Sequence, residues 1–235
     1  MDLIENWIGS SVMSTTSSHR QFSIRFVSAM AWKIERWLTD VFPGEDAIYS
    51  EYRNLPPREL AIVSVAVLDA ALAELLSLRL MDHGKEAEDF LGLNGDGRAP
   101  VGSFGSRIQL ALLVGLITSE DVAILRAMKE LRNLFAHRVR IGFLSAPVLK
   151  VTKKLYALWL KRTNGLIAAG VVTGTPTQIK QLAHYLPIHS EAGEGLLLSI
   201  FTVYHAYFHR LHAHVSHLTH VVAKTSKEKS NDPLH

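Results

Sequence analysis

The segment from residue 57 to about residue 81 constrains this chain more than any other. Pro56-Pro57 opens it and Gly84 lies just beyond its end. Between them Leu60, Ile62, Val65, Leu68, Leu72, Leu75 and Leu76 leave a helix apolar on most sides. Such a helix has to be surrounded by other apolar surface. Asp69 and Glu74 sit near its middle, where a membrane interior tolerates carboxylates poorly. The expectation is therefore the buried central helix of a soluble bundle, not a membrane span. At 235 residues, with 48% hydrophobic and 20% charged residues, the chain has enough apolar material to build the surrounding layer. That length suits one domain, or one domain with an appendage.

The neighbouring segments also read as helices. Residues 21–41 place Phe22, Phe26, Met30, Ile34, Trp37 and Leu38 at helical spacing, and Phe42-Pro43-Gly44 stops them. Residues 85–91 predict one or two helical turns, and the glycines and Pro100 that follow predict a loop. A helix begins at Ser103 or Gly105 and runs to Leu116. Thr118 or Ser119 caps the next one, with Glu120 and Asp121 well placed in its first turn and Leu125, Met128, Leu131 and Phe135 as its buried stripe. Ser145-Ala146-Pro147 starts a further helix, which Asn164-Gly165 ends. Residues 165–177 read equally as loop or strand, residues 176–185 as a short helix, and residues 191–222 as a long final helix. Strands alternating with helices are missing, and no internal repeat is visible. The fold class expected is all-α, a compact helical bundle. An N-terminal arm (1–20), with a short helix over 2–8 and a Ser/Thr-rich loop, precedes one domain (21–222), and a flexible polar tail (223–235) follows it.

Composition excludes several chemistries. With no cysteine, the chain has no disulfide framework, thiol nucleophile or cysteine-ligated zinc or iron–sulfur centre. The start, Met1-Asp2-Leu3-Ile4-Glu5-Asn6, lacks the basic and apolar regions of a secretory signal. A cytoplasmic protein is expected. The net charge of +3 is modest beside the dense basic footprint of most nucleic-acid binders, although the pI is about 9.1.

Chemistry concentrates in residues 90–137. Gly92-Leu93-Asn94-Gly95-Asp96-Gly97 opens this block, Gly102-Ser103-Phe104-Gly105-Ser106-Arg107 leads into a helix, and Arg132, Asn133 and His137 close it. Gly95, Gly97 and Gly102 permit positive φ, and the amides at the Ser103 helix start suit an anion. The alternative is a loop crossing the bundle end, with Arg107 as its staple. Arg132 and His137 are five residues apart, roughly 140° around an ideal helix. They converge only if the helix bends or ends between them, or if a second subunit supplies one of the two. Converged, His137 moves protons, Arg132 stabilises charge on a phosphate and Asn133 orients either partner, which is enough for RNA cleavage without a metal. As plain structure, both cations suit a helix C-terminus, and Arg132 can pair with Asp69 or Glu74.

Arg132-Asn133 followed by His137 resembles the R-x4-6-H motif of the HEPN superfamily, small α-helical domains that are commonly dimeric. Some are metal-independent ribonucleases and others are catalytically silent. Asn94-Gly95-Asp96-Gly97, Val101-Gly102-Ser103-Phe104, Ser106-Arg107-Ile108-Gln109-Leu110-Ala111 and Gly115-Leu116-Ile117 together resemble the bacterial mannitol operon repressor (MltR-like) family. The resemblance spans about residues 57–141. Arg98-Ala99 is an insertion before Pro100, and residues 148–187 have no counterpart. The resemblance implies an all-α regulator with a protein partner. It makes Arg107 and Arg132 structural or anion-contacting residues and His137 the HEPN-type histidine. No helix-turn-helix reading helix is visible, so direct DNA binding is not expected.

The last helix carries His205, His209, His212, His214, His217 and His220. The pair His205 and His209 has i, i+4 metal-ligand spacing, but no carboxylate follows Glu194 until the tail. Alternatively, Phe201, Tyr204, Tyr207 and Phe208 pack while the histidines line a wet face or a dimer contact. Three functions follow. The first is a cytoplasmic, dimeric MltR-like regulator acting through another protein, with no cofactor. The second is a HEPN-type ribonuclease using Arg132, Asn133 and His137 on RNA. The third, a metal-binding module on the last helix, ranks behind both.

Overall fold

The computed structural model describes residues 52–80, 84–93, 98–168 and 184–230, and among these residues there is no strand. Six helices follow one another: α1 (Pro57–Arg79), α2 (Gly84–Leu91), α3 (Phe104–Leu113), α4 (Ser119–His137), α5 (Ala146–Ala168) and α6 (Ser190–Ser230). The protein is an all-α helical bundle. The expected arm, the helix over 21–41, the loop glycines Gly95 and Gly97, residues 169–177 of the expected loop or strand and most of the short helix expected over 176–185 lie outside the described residues.

α1 is the hub. It packs against α2, α3, α4 and α6, while α4 also packs on α3 and α5, and α5 touches α6. The cause is the apolar circumference seen in the sequence. Leu68, Ala71, Leu72, Leu75 and Leu76 are completely buried, and α4 meets them with Ile124, Leu125, Met128 and Phe135. α6 adds Leu196, Ile200, Phe201 and Phe208, and α5 adds Val148, Leu155 and Trp159. By length and composition α1 could cross a membrane, but 61% of its apolar window is buried inside the bundle.

Local signals set most helix ends. Pro57 opens α1, where a missing N–H costs nothing. Ser103 caps α3 and Thr118 caps α4, each through a reciprocal capping box. α3 stops at Leu113, short of the Leu116 expected, because Gly115 adopts φ 73°. The Gly115 amide donates to Leu112 O and the Leu116 amide to Ala111 O, which closes a Schellman motif. Gly92, at φ 64°, ends α2 in the same way, with the Leu93 amide on Glu88 O. These are the described glycines at positive φ, and Gly102 is not among them. α5 passes through Asn164-Gly165 to Ala168. A helical glycine costs only about 1 kcal/mol relative to alanine, and the buried Trp159 and Thr163 tie the preceding turns to the core. α6 runs past Val222 to Ser230, into the segment expected as tail.

α6 approaches the α4–α5 connection closely at Gly193. A Cβ there would stand 2.5 Å from Phe143 Cδ1, so glycine is required by contact. Phe143 in turn packs tilted against Phe135 near the end of α4, with ring centroids 5.1 Å apart. The C-terminal end of α4 is thereby held from behind.

Candidate functional site

α4 is fixed first at its N-terminus. Asp121, 1% exposed, accepts from the Thr118 amide at 2.9 Å and the Thr118 hydroxyl at 2.8 Å. Tyr204 of α6 donates its phenol to the same carboxylate at 2.8 Å, and Arg162 of α5 pairs with it at 3.1 Å. A buried carboxylate persists only with such partners. Burial first, and then the Asp121 charge, push the Tyr204 phenol well above its ordinary range. Tyr207 is raised for the same two reasons, and its hydroxyl donates to Leu116 O at 3.3 Å.

α3 and the loop before it are held by Arg107. Its guanidinium donates to Asp69 Oδ1 at 2.7 Å, to Leu91 O at 2.8 Å and to Val101 O at 3.2 Å. One side chain thus joins α1, the end of α2 and the loop. Ser103 is spent in the same internal way: its hydroxyl accepts from the Ser106 amide at 3.2 Å, and the Ser106 hydroxyl accepts from the Ser103 amide. Gly102 lies in that loop, its amide on Ala99 O at 3.0 Å. All three residues expected to bind a ligand, Gly102, Ser103 and Arg107, therefore have internal partners. Arg107, and not Arg132, forms the ion pair with Asp69, and Glu74 pairs with His212 of α6 at 3.2 Å. Arg132 acts on Asp69 only through space, and burial outweighs all three nearby cations to leave that carboxyl above its ordinary range.

The end of α4 separates the two cations of the motif. Arg132 is half-buried, donates to Asn133 Oδ1 at 3.0 Å and adds its field to that of Arg107 at Asp69. His137 is exposed at the last helical position. An open groove of 430 Å³ runs along α4, lined by Arg126, Lys129, Glu130, Asn133, Leu134 and His137, with Arg138 at its end. Asn133 and His137 line it; Arg132 does not. The spacing anticipates this, because α4 is a regular helix up to His137 and neither bends nor ends between the two cations. Beyond it, Arg58 of α1 donates to Arg138 O, and to Val139 O at 3.0 Å, and so fixes the turn. Gln109 of α3 accepts from Arg126 at 2.7 Å, and Lys154 of α5 pairs with Glu130 at 3.2 Å.

The histidines of α6 are dispersed. His205 is 2% exposed, with its ring 6.3 Å from that of Phe201. His209 is exposed, as is His214, and His212 is half-buried against Glu74. The i, i+4 pair proposed for a metal is split between core and solvent. Among the described residues no three His, Cys, Asp or Glu side chains gather in a way that could hold a metal ion. The side chains of His217 and His220 lie outside the described residues.

Sequence reasoning missed the Asp121–Tyr204–Arg162 junction and the Glu74–His212 pair. Both join residues far apart in the chain, and only the apolar stripes that dock the helices hint at them. The groove residues were visible as Arg126, Lys129, Asn133 and His137, each three or four residues from the next along one helix. The fold and the site define an all-α bundle with a cation-lined helix face. Compared with protein-family models, with curated proteins and with solved structures, the chain matches none of them.

Proposed function

We propose that the chain is a cytoplasmic regulatory protein, resembling the mannitol operon repressor family, that works as a dimer through protein–protein contacts. The observation that carries this reading is the separation of Arg132 from His137. Metal-free phosphodiester cleavage needs the proton-moving imidazole and the charge-stabilising guanidinium at one phosphate. Here His137 lines the groove while Arg132 donates to Asn133 and faces the field of Asp69. The groove itself is suited to contact: several cations surround Leu134 on one accessible helix face. Regulation by contact also needs no reading helix in a DNA groove.

The ribonuclease alternative requires a second subunit to bring its Arg132 to His137. Incubating labelled single-stranded RNA with the wild type and with His137→Ala separates the two functions. No degradation by either protein is expected. Cleavage by the wild type that disappears in the variant would overturn the regulator and establish the ribonuclease.

A further inference from the structure

Charge is unevenly spread along the chain. None of its 22 Asp and Glu residues falls between 131 and 190, whereas Lys and Arg continue through that stretch. Much of it forms the α4–α5 connection and α5. On α5, Val148, Val151, Leu155 and Trp159 are buried, while Lys150, Lys153, Lys154, Ala157 and Lys161 are exposed. Their spacing confines those five to one stripe roughly 100° wide. Two ion pairs join the stripe to α4, Lys154 with Glu130 at 3.2 Å and Lys161 with Glu120 at 2.9 Å. The pairs show the two helices antiparallel, so Lys150 and Lys153 lie toward the connection. Arg138 lines the α4 groove together with Glu130, and so stands on the side where Lys154 reaches α4. Arg138, Arg140, Lys150 and Lys153 have no carboxylate partner among the described residues.

The connection adds an apolar tip to these cations. Val139, between Arg138 and Arg140, is 87% exposed, and Leu144 is 47% exposed. Both sit on backbone that is tied down. Arg58 donates to Arg138 O and Val139 O. The Gly142 amide donates to Ser145 Oγ and the Ser145 amide to Gly142 O, each at 3.0 Å. Phe143 is buried against Phe135, which leaves its neighbour Leu144 outside.

We propose that the α4–α5 connection and the lysine stripe of α5 dock this protein on an anionic bilayer surface. Val139 and Leu144 enter the boundary between head groups and acyl chains. Arg138, Arg140, Lys150 and Lys153 meet the lipid phosphates around them. The contact is peripheral, because the one helix long enough to span, α1, is enclosed by the bundle. A protein partner suits this surface less well, since lysine is depleted at protein interfaces and supplies most of the stripe. The phosphates of a nucleic acid would satisfy the cations but give Val139 and Leu144 nothing to enter. A bilayer satisfies both.

Sedimentation of the full chain with vesicles tests the proposal, using phosphatidylcholine alone and equal parts of phosphatidylcholine and phosphatidylglycerol. Binding is expected to the anionic vesicles only, and to weaken as salt screens the exposed charges. Lys150→Ala/Lys153→Ala and Arg138→Ala/Arg140→Ala are each expected to lower the partition coefficient by about thirtyfold, and Val139→Ser/Leu144→Ser by about tenfold. The replaced side chains are exposed, so each variant is expected to keep the circular dichroism of the wild type. Because the chain has no cysteine, Val139→Cys carries a single thiol for an environment-sensitive dye. Its emission is expected to shift to the blue on the anionic vesicles. A wild type that binds neither vesicle, or both equally, overturns the proposal. So does a folded double variant that binds like the wild type, or dye emission that stays unchanged. Anisotropy with labelled single-stranded RNA separates the other polyanion, and RNA binding without vesicle binding also overturns it. None of these readouts is RNA cleavage, so the protein-contact function stands or falls separately.

Discussion

Asp69 shows how a single residue's environment sets its contribution. It lies on the hub helix and has the Arg107 guanidinium at 2.7 Å, which alone would lower its pKa. Burial acts the other way and is the larger effect, so the carboxyl is pushed above its ordinary 3.8 despite Arg107, Arg132 and Lys129. A carboxyl whose folded pKa exceeds its unfolded one contributes stability that is fully present below the unfolded value and is lost as pH rises through the folded value. Acidification from neutral pH therefore relieves a penalty here. Comparing urea midpoints of the wild type and Asp69→Asn over a pH series isolates the effect, because the amide does not titrate. The stability of the wild type relative to the variant is expected to fall as pH is raised from below 3.8 through the folded pKa. A difference that is flat, or that grows with pH, would show that the Arg107 pair dominates instead.

Among the elements, α4 depends most on a polar junction. Asp121 joins its own helix start to α5 through Arg162 and to α6 through Tyr204. Tyr204→Phe keeps the ring and its contacts with Tyr207 and Phe208 while removing the donor. Hydrogen bonds to a charged acceptor are worth about 2 kcal/mol, so chemical denaturation is expected to show a loss of that size. A change below about 0.5 kcal/mol, the scale of an ordinary surface substitution, would mean that Arg162 and Thr118 satisfy Asp121 without it. The same junction governs the groove. α4 is held at one end by Asp121 and at the other by Phe143 and Arg58, and the cation stripe between these anchors keeps its orientation.

For the whole molecule, the relevant fact is that one helix touches four others. A defect in α1 is shared by every layer. Leu72 is completely buried, and a Leu→Ala truncation at such a site costs about 3 kcal/mol through lost burial and the cavity left behind. Leu72→Ala is expected to shift the far-ultraviolet circular dichroism and tryptophan fluorescence transitions together, as one cooperative core requires. Transitions that separate would mean that α1 divides two independent units.

Local signals along the chain specify the helices and the all-α class. Apolar periodicity, Pro57 and the Thr118 and Ser103 caps act within a few residues of one another, so the stripe of Leu125, Met128, Leu131 and Phe135 was readable and is buried. Glycine was the weaker signal. It serves a cap or a helix interior alike, which is why α5 crosses Gly165 while Gly115 ends α3. Which polar side chains meet is settled by the packing of the helices. From the sequence Asp69 could take Arg132, and Glu74 had no evident histidine partner; packing gave Asp69 to Arg107 and Glu74 to His212. The same packing turned Arg132 toward the bundle and left His137 in the groove. Spacing along a helix gives the angle between two side chains, whereas their partners depend on how neighbouring helices slide and rotate to bury their apolar stripes, and that choice is made by the core as a whole.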